Sequence, residues 1–204
     1  MSSSCRTAAS AASTGNCLIV YLHGFNSSPR SHKAQVMAKF MADQGLAADY
    51  ACPVLPPLGA DAMREIQRVP VDAKTCFVGS SLGGFYATYL AEKHAARAVL
   101  LNPAIDPHIG LRALLGPQQN LHTGEPYQLT EAHLREWEKL YVSRITPKRY
   151  LLGVETGDEV LDYRRAVERY AGAEQVVIPG GDHSLQSFPQ HLARILEFSR
   201  APSL

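Results

Sequence analysis

Six short runs rich in β-branched or large apolar residues recur along the chain, at Cys17–Leu22, Asp49–Val54, Thr75–Val78, Ala98–Leu101, Tyr150–Val154 and Gln175–Ile178. Most are apolar at consecutive rather than alternate positions, the pattern of strands covered on both faces of a parallel sheet. Asp49–Val54 is the weakest, and Pro53, which has no N–H to give a ladder, suits a sheet edge. Between these runs lie stretches with apolar residues at helical spacing: Ser31–Gln44, Ala60–Arg68, Leu82–His94, Glu159–Ala171 and Ser184–Arg200. The alternation predicts right-handed βαβ units and a doubly wound, mostly parallel sheet of about six strands between two helical layers, a three-layer α/β/α sandwich. In such a sheet the loops at the strand C-termini are available for chemistry.

One interval breaks the rhythm, because about 45 residues (102–147) separate two strands that an ordinary crossover joins in far fewer. Pro103, Pro107, Pro117, Pro126 and Pro147 act there as breakers around one helix, Thr130–Val142, with Thr130 as N-cap and Glu131 in an acidic first turn. The insert is expected to be a lid over a site, with a packing embellishment as the alternative. Residues 1–16 are small and polar and read as a flexible tail, leaving 17–204 as a single domain of a size that buries one core.

Composition narrows the function classes. Apolar residues make up 46% of the chain and charged residues 19%, which suits a globular core. A net charge of +1 supplies no field for a phosphate backbone, so nucleic acid is not an expected partner. No stretch approaches the ~20 apolar residues of a membrane span, and residues 1–16 lack the apolar run of a secretory signal. Cys5, Cys17, Cys52 and Cys76 are scattered, without a C-x-x-C pair or a histidine at metal-ligand spacing. They read as reduced cysteines of a cytoplasmic protein, with no metal and no cofactor expected.

The sharpest chemical signal is Gly79-Ser80-Ser81-Leu82-Gly83, directly after an apolar strand and running into a helix. A nucleophile on a tight strand-to-helix turn crowds the positions two before and two after it, so glycine is wanted at 79 and 83. Ser80 is the rival nucleophile, but it would put Val78 and Leu82 at those positions. Serine needs a base and a group to orient that base. His183 follows the last strand, and Asp158 holds the same kind of position one strand earlier. Asp158 is alternatively a helix cap; Asp162, inside the predicted helix, and Glu155, before the turn, are alternatives for the acid. Asp182 reads as stiffening the turn or capping the final helix. The loop Leu22-His23-Gly24-Phe25 lies where an oxyanion hole belongs, with the Phe25 and Leu82 N–H groups as donors. His23 is expected to hold the shape of that loop.

The order Ser81, Asp158, His183 is the nucleophile, acid, base order of the α/β-hydrolase fold. Taken together, HGFNSSP at 23–29, GSSLGG at 79–84, TGDEVLDY at 156–163 and GGDHS at 180–184 resemble the small bacterial α/β-hydrolase esterases of the YqiA/YcfP type. The likeness spans about residues 17 to 200. It implies little or no cap and hydrolysis of a carboxylic ester or acyl thioester, the partner being a small-molecule substrate. Within enzymes the rivals are a thioesterase, a peptidase and a C–C hydrolase; outside them, a non-catalytic protein of the same fold that binds a ligand or partner. Substrate-binding residues stay open, since Phe25, Phe85, Tyr86, Leu111, Leu114, Leu115, Trp137 and Tyr141 serve a pocket or a core equally well.

Overall fold

A computed structural model describes residues 17–201. In chain order it contains β1 (Ile19–Leu22), α1 (His32–Asp43), β2 (Tyr50–Ala51), α2 (Gly59–Ile66), β3 (Cys76–Ser80), α3 (Leu82–His94), β4 (Arg97–Leu101) and α4 (Pro107–Gly110). There follow β5 (Gly116–Gln119), β6 (Pro126–Leu129), α5 (Glu131–Leu140), β7 (Tyr150–Glu155), α6 (Tyr163–Arg169), β8 (Glu174–Ile178) and α7 (Leu192–Arg200). The expected tail and Cys5 lie outside the described residues.

Six strands form one sheet in the order β2-β1-β3-β4-β7-β8, every neighbouring pair parallel. Successive side chains alternate between its faces. Val20, Leu22, Phe77, Ala98, Leu100 and Leu152 pack with α2, α3, α5 and α6 on one side. Ile19, Tyr21, Val78, Val99, Leu101 and Leu151 meet α1 and α7 on the other. The result is the three-layer α/β/α architecture that consecutive apolar positions foretold. β2, the strand next to Pro53, is a two-residue edge.

Two helices start later than their spacing predicts. Asp158 Oδ1 accepts the N–H groups of Val160 and Leu161 at 2.9 and 2.8 Å, making a turn where the sequence suggested helix. Asp162 is the N-cap of α6, accepting from Arg164 N–H at 3.1 Å, and is not inside the helix. The last helix begins at Leu192 because the chain first forms a turn at Asp182–Leu185 and a 3-10 turn over Phe188–His191, with Pro189 in it. Asp182 therefore stiffens a turn and does not cap α7.

The insert contains an unforeseen hairpin, β5 paired antiparallel with β6. Its prolines read as breakers, but a two-stranded ribbon consists only of edges, where proline is tolerated. The Asn120 side chain accepts the N–H groups of His122 and Thr123 to close the loop. Thr130 caps α5 as expected, in a reciprocal capping box whose second member is His133. Trp137, wholly buried, anchors this helix: its Nε1–H donates to the Tyr86 hydroxyl on α3 at 2.7 Å. Phe85, Tyr86 and Trp137 are thus core residues, whereas Leu114, Leu115 and Tyr141 are exposed. Trp137→Ala should lower unfolding free energy by about 3–5 kcal/mol, read from urea denaturation; a loss below about 1 kcal/mol would contradict this anchoring role. Among the described residues no helix is long and apolar enough to cross a membrane.

Candidate active site

β3 ends at Ser80 and α3 begins at Leu82, so Ser81 occupies the corner between them. Its backbone has φ +55° and ψ −121°, a conformation that L-residues rarely adopt. The corner is held by Ser81 N–H donating to the Leu101 carbonyl at 3.1 Å, while the Ser81 carbonyl accepts from Gly84 and Ala104 N–H. A Cβ at Gly79 would collide with the Gly83 carbonyl, and one at Gly83 with the Leu22 carbonyl. Those are the two crowded positions that the motif spacing assigns to glycine.

Sheet register decides which loops meet there. Leu22 pairs with Gly79, so residues 23–25 emerge beside the Ser81 corner. Glu155 pairs with Ile178, so the loops carrying Asp158 and His183 emerge side by side. His183 Nε2 lies 3.1 Å from Ser81 Oγ, and its Nδ1 lies 3.0 and 2.8 Å from the two oxygens of Asp158. The Asp158 side chain is 1% exposed and that of His183 23%. A carboxylate only accepts, so Nδ1 carries the proton and the Nε2 lone pair faces the serine hydroxyl.

Two buried residues that the sequence reading did not place in this role build the histidine loop. Glu155, weighed as a rival acid, is wholly buried, and its carboxylate accepts the N–H groups of Asp182, Gln186 and Ser187 at 2.9, 3.1 and 2.8 Å. Burial pushes its carboxyl up, but hydrogen bonds from Ser187, Asp182 and Gln186 outweigh this and hold it below its ordinary value. Asn102, one residue past β4, donates to the Asp182 and His183 carbonyls and accepts Glu155 N–H at 3.0 Å. A carboxylate at the end of an apolar strand was the available signal for Glu155; for Asn102 nothing local stood out. Glu155→Gln brings an amide NH2 against backbone donors. It should cost about 10²-fold in turnover by displacing His183 in a protein that still folds by circular dichroism, whereas unchanged turnover would dismiss Glu155 as a support of the loop.

The 23–29 loop is held as tightly. A Cβ at Gly24 would lie 3.2 Å from Ser81 Cβ, a tight approach that would press on the serine, and glycine avoids it. His23 is buried; its Nδ1 meets the Gly24 carbonyl at 3.1 Å and its Nε2 accepts Leu55 N–H at 3.0 Å, the loop-shaping role expected of it. The Phe25 ring sits edge-on to Tyr127 and Trp137 of the insert, at 6.5 and 6.4 Å between centroids. The Tyr127 hydroxyl donates to Asn26. Leu82 is the first residue of α3, so its N–H has no acceptor within the helix. A cleft of about 270 Å³ opens at the serine, lined among others by Ser81, His183, His23, Gly24, Phe25 and Lys33.

Burial holds the His23 imidazole below its ordinary value, and a proton on Nε2 would displace Leu55 N–H. The unfolded chain then takes up the proton first, so the His23 contribution is complete above about pH 6.5 and declines as pH falls below it. Between pH 7 and 5 the wild type should lose more Tm than His23→Gln; equal losses would remove His23 as the cause.

The family model described as Uncharacterised protein family (UPF0227) matches residues 18–200. The chain belongs to UPF0227. This agrees with the resemblance carried by the HGFNSSP, GSSLGG, TGDEVLDY and GGDHS motifs. Among solved structures, the UPF0227 chain is similar to Alpha/beta hydrolase domain-containing protein 10 from mouse, with TM-score 0.64, 17% identity, and coverage of 88% of this chain and 87% of that one. It is similar to Est1E from Butyrivibrio proteoclasticus at TM-score 0.62 and 15% identity, covering 91% and 88%. For the esterase domain of a Rhodothermus marinus protein the values are 0.63 and 19%, covering 93% and 89%. These likenesses establish the α/β-hydrolase fold for this member of UPF0227.

Proposed function

We propose that the protein is a serine hydrolase that cleaves a carboxylic ester, or an acyl thioester, through an acyl-enzyme. The observation that carries this reading is His183, with Nε2 3.1 Å from Ser81 Oγ and Nδ1 bonded to the buried Asp158. His183 Nε2 takes the hydroxyl proton as Ser81 Oγ attacks the acyl carbon. The oxyanion is held by the N–H groups of Phe25 and Leu82, at the positive end of α3. His183 passes the proton to the leaving alcohol or thiol as its bond to the acyl carbon breaks. Water, deprotonated by His183, then attacks the acyl carbon; the acid leaves and Ser81 regains its proton. Asp158 fixes the imidazole tautomer and stabilises its cation without taking the proton.

Two of the similar structures are esterases by name, Est1E and the Rhodothermus marinus esterase domain, which supports the same chemistry here. Cys17, Cys52 and Cys76 are free, which supports a reducing, cytoplasmic setting. The test is hydrolysis of p-nitrophenyl esters from acetate to palmitate. A burst of p-nitrophenol equal to the enzyme concentration, followed by slower steady release, is expected where deacylation limits the rate. Folded protein that releases none from any chain length, and none from the matching thioesters, would refute the reading.

A further inference from the structure

One wall of the Ser81 cleft carries an ammonium group. Lys33, second residue of α1, is half-buried there, and its Nζ donates to the Ser184 carbonyl at 2.8 Å, one residue past His183. Among the described residues that is its one hydrogen bond, and no carboxylate is within ion-pair distance. An ammonium has three hydrogens, so two are unused. The carboxylates that act on it from further off, Asp182, Asp158 and Glu155, are engaged elsewhere. Asp158 serves His183, Val160 and Leu161; Glu155 serves three backbone N–H groups; Asp182 serves Ser184 N–H and the Gln186 amide.

Two further features stand in the same cleft. The Tyr21 hydroxyl, wholly buried in its wall, has the Ser80 hydroxyl as its neighbour and makes no further hydrogen bond. The N-terminus of α1 opens beside it, with Ser31 as N-cap but no side-chain cap bond. The spare Lys33 N–H groups and the positive end of α1 are the features of this wall that suit an anionic oxygen, while the three carboxylates are held by donors of their own.

We propose that the substrate is an ester bearing a carboxylate, which the Lys33 ammonium, with the Tyr21 hydroxyl and the α1 N-terminus, binds beside Ser81. The proposal rests on the serine-hydrolase reading and makes Lys33 the residue that determines specificity. The carboxylate belongs to either the acyl or the alcohol part of the ester, and two matched pairs distinguish them. Monoethyl succinate against ethyl succinamate tests the acyl side. The butyrate ester of glycolate against that of glycolamide tests the alcohol side.

In one pair the carboxylate ester should exceed its amide twin in kcat/KM by about 10- to 100-fold, the worth of one charge-assisted hydrogen bond. Lys33→Met should collapse that ratio toward one, mainly through KM, and Lys33→Arg should keep part of it. Tyr21→Phe, which deletes a single oxygen, should lower the ratio as well and keeps the test readable if Lys33→Met does not fold. A wild-type ratio near one in both pairs overturns the proposal. So does a Lys33→Met enzyme that loses activity equally on both twins, since Lys33 is then only a tie to the His183 loop. Absence of hydrolysis from every ester, the p-nitrophenyl series included, removes the hydrolase reading and this proposal with it; hydrolysis of p-nitrophenyl esters without carboxylate preference removes the proposal alone.

Discussion

Ser81→Ala should lower ester turnover by about 10⁶-fold, leaving only the residual rate that oxyanion donors and binding can supply. Alanine keeps the Cβ, so the corner between β3 and α3 experiences no new steric demand, and the backbone bonds of residue 81 to Leu101, Gly84 and Ala104 are unaffected. The variant should therefore match the wild type in Tm and circular dichroism. Turnover within tenfold of wild type in such a folded variant would exclude Ser81 as the nucleophile and direct attention to Ser80, whose side chain also borders the cleft.

Asp158→Asn should cost about 10⁴-fold in turnover, for a reason specific to tautomers. An asparagine NH2 turned toward His183 Nδ1 makes that nitrogen the acceptor, which moves the ring proton to Nε2, facing Ser81. The imidazole then has no lone pair for the serine proton. The asparagine oxygen still accepts Val160 and Leu161 N–H, the bonds that Asp158 Oδ1 makes, so the turn before α6 persists. Loss of turnover with Tm retained is the expected pair of results. A loss below tenfold would mean that Asp158 acts as a turn-former only.

Much of this arrangement was legible because it is local. Strands covered on both faces print as consecutive apolar residues, and a serine corner prints as glycines two positions to either side. Loops at the ends of successive parallel strands print as candidate neighbours, which is how Asp158 and His183 could be paired from sequence. What stayed illegible depends on partners distant along the chain. Nothing near Asn102 announces that it will hold the carbonyls of Asp182 and His183, and Glu155 looked like a rival acid because the N–H groups it serves belong to another loop. The late start of α6 has a subtler cause. Asp158 and Asp162 are both good caps, and the chain uses the first for a turn and the second for the helix. Prolines hid the β5–β6 hairpin, since the rule that they break strands applies to central strands and weakens in a ribbon with none.

The insert also acquires a role that neither expectation of it contained. Tyr127 and Trp137 hold Phe25 between them, and Tyr127 donates to Asn26, so the insert braces the loop proposed to supply one oxyanion donor.

The most direct test of the central claim is covalent. Incubated with a fluorophosphonate near neutral pH, the wild-type protein should gain one adduct per chain, and peptide mass spectrometry should place it on Ser81. His183→Ala should label far more slowly under the same conditions. A folded wild-type protein that takes up no label, or carries it on any other residue, would contradict the account.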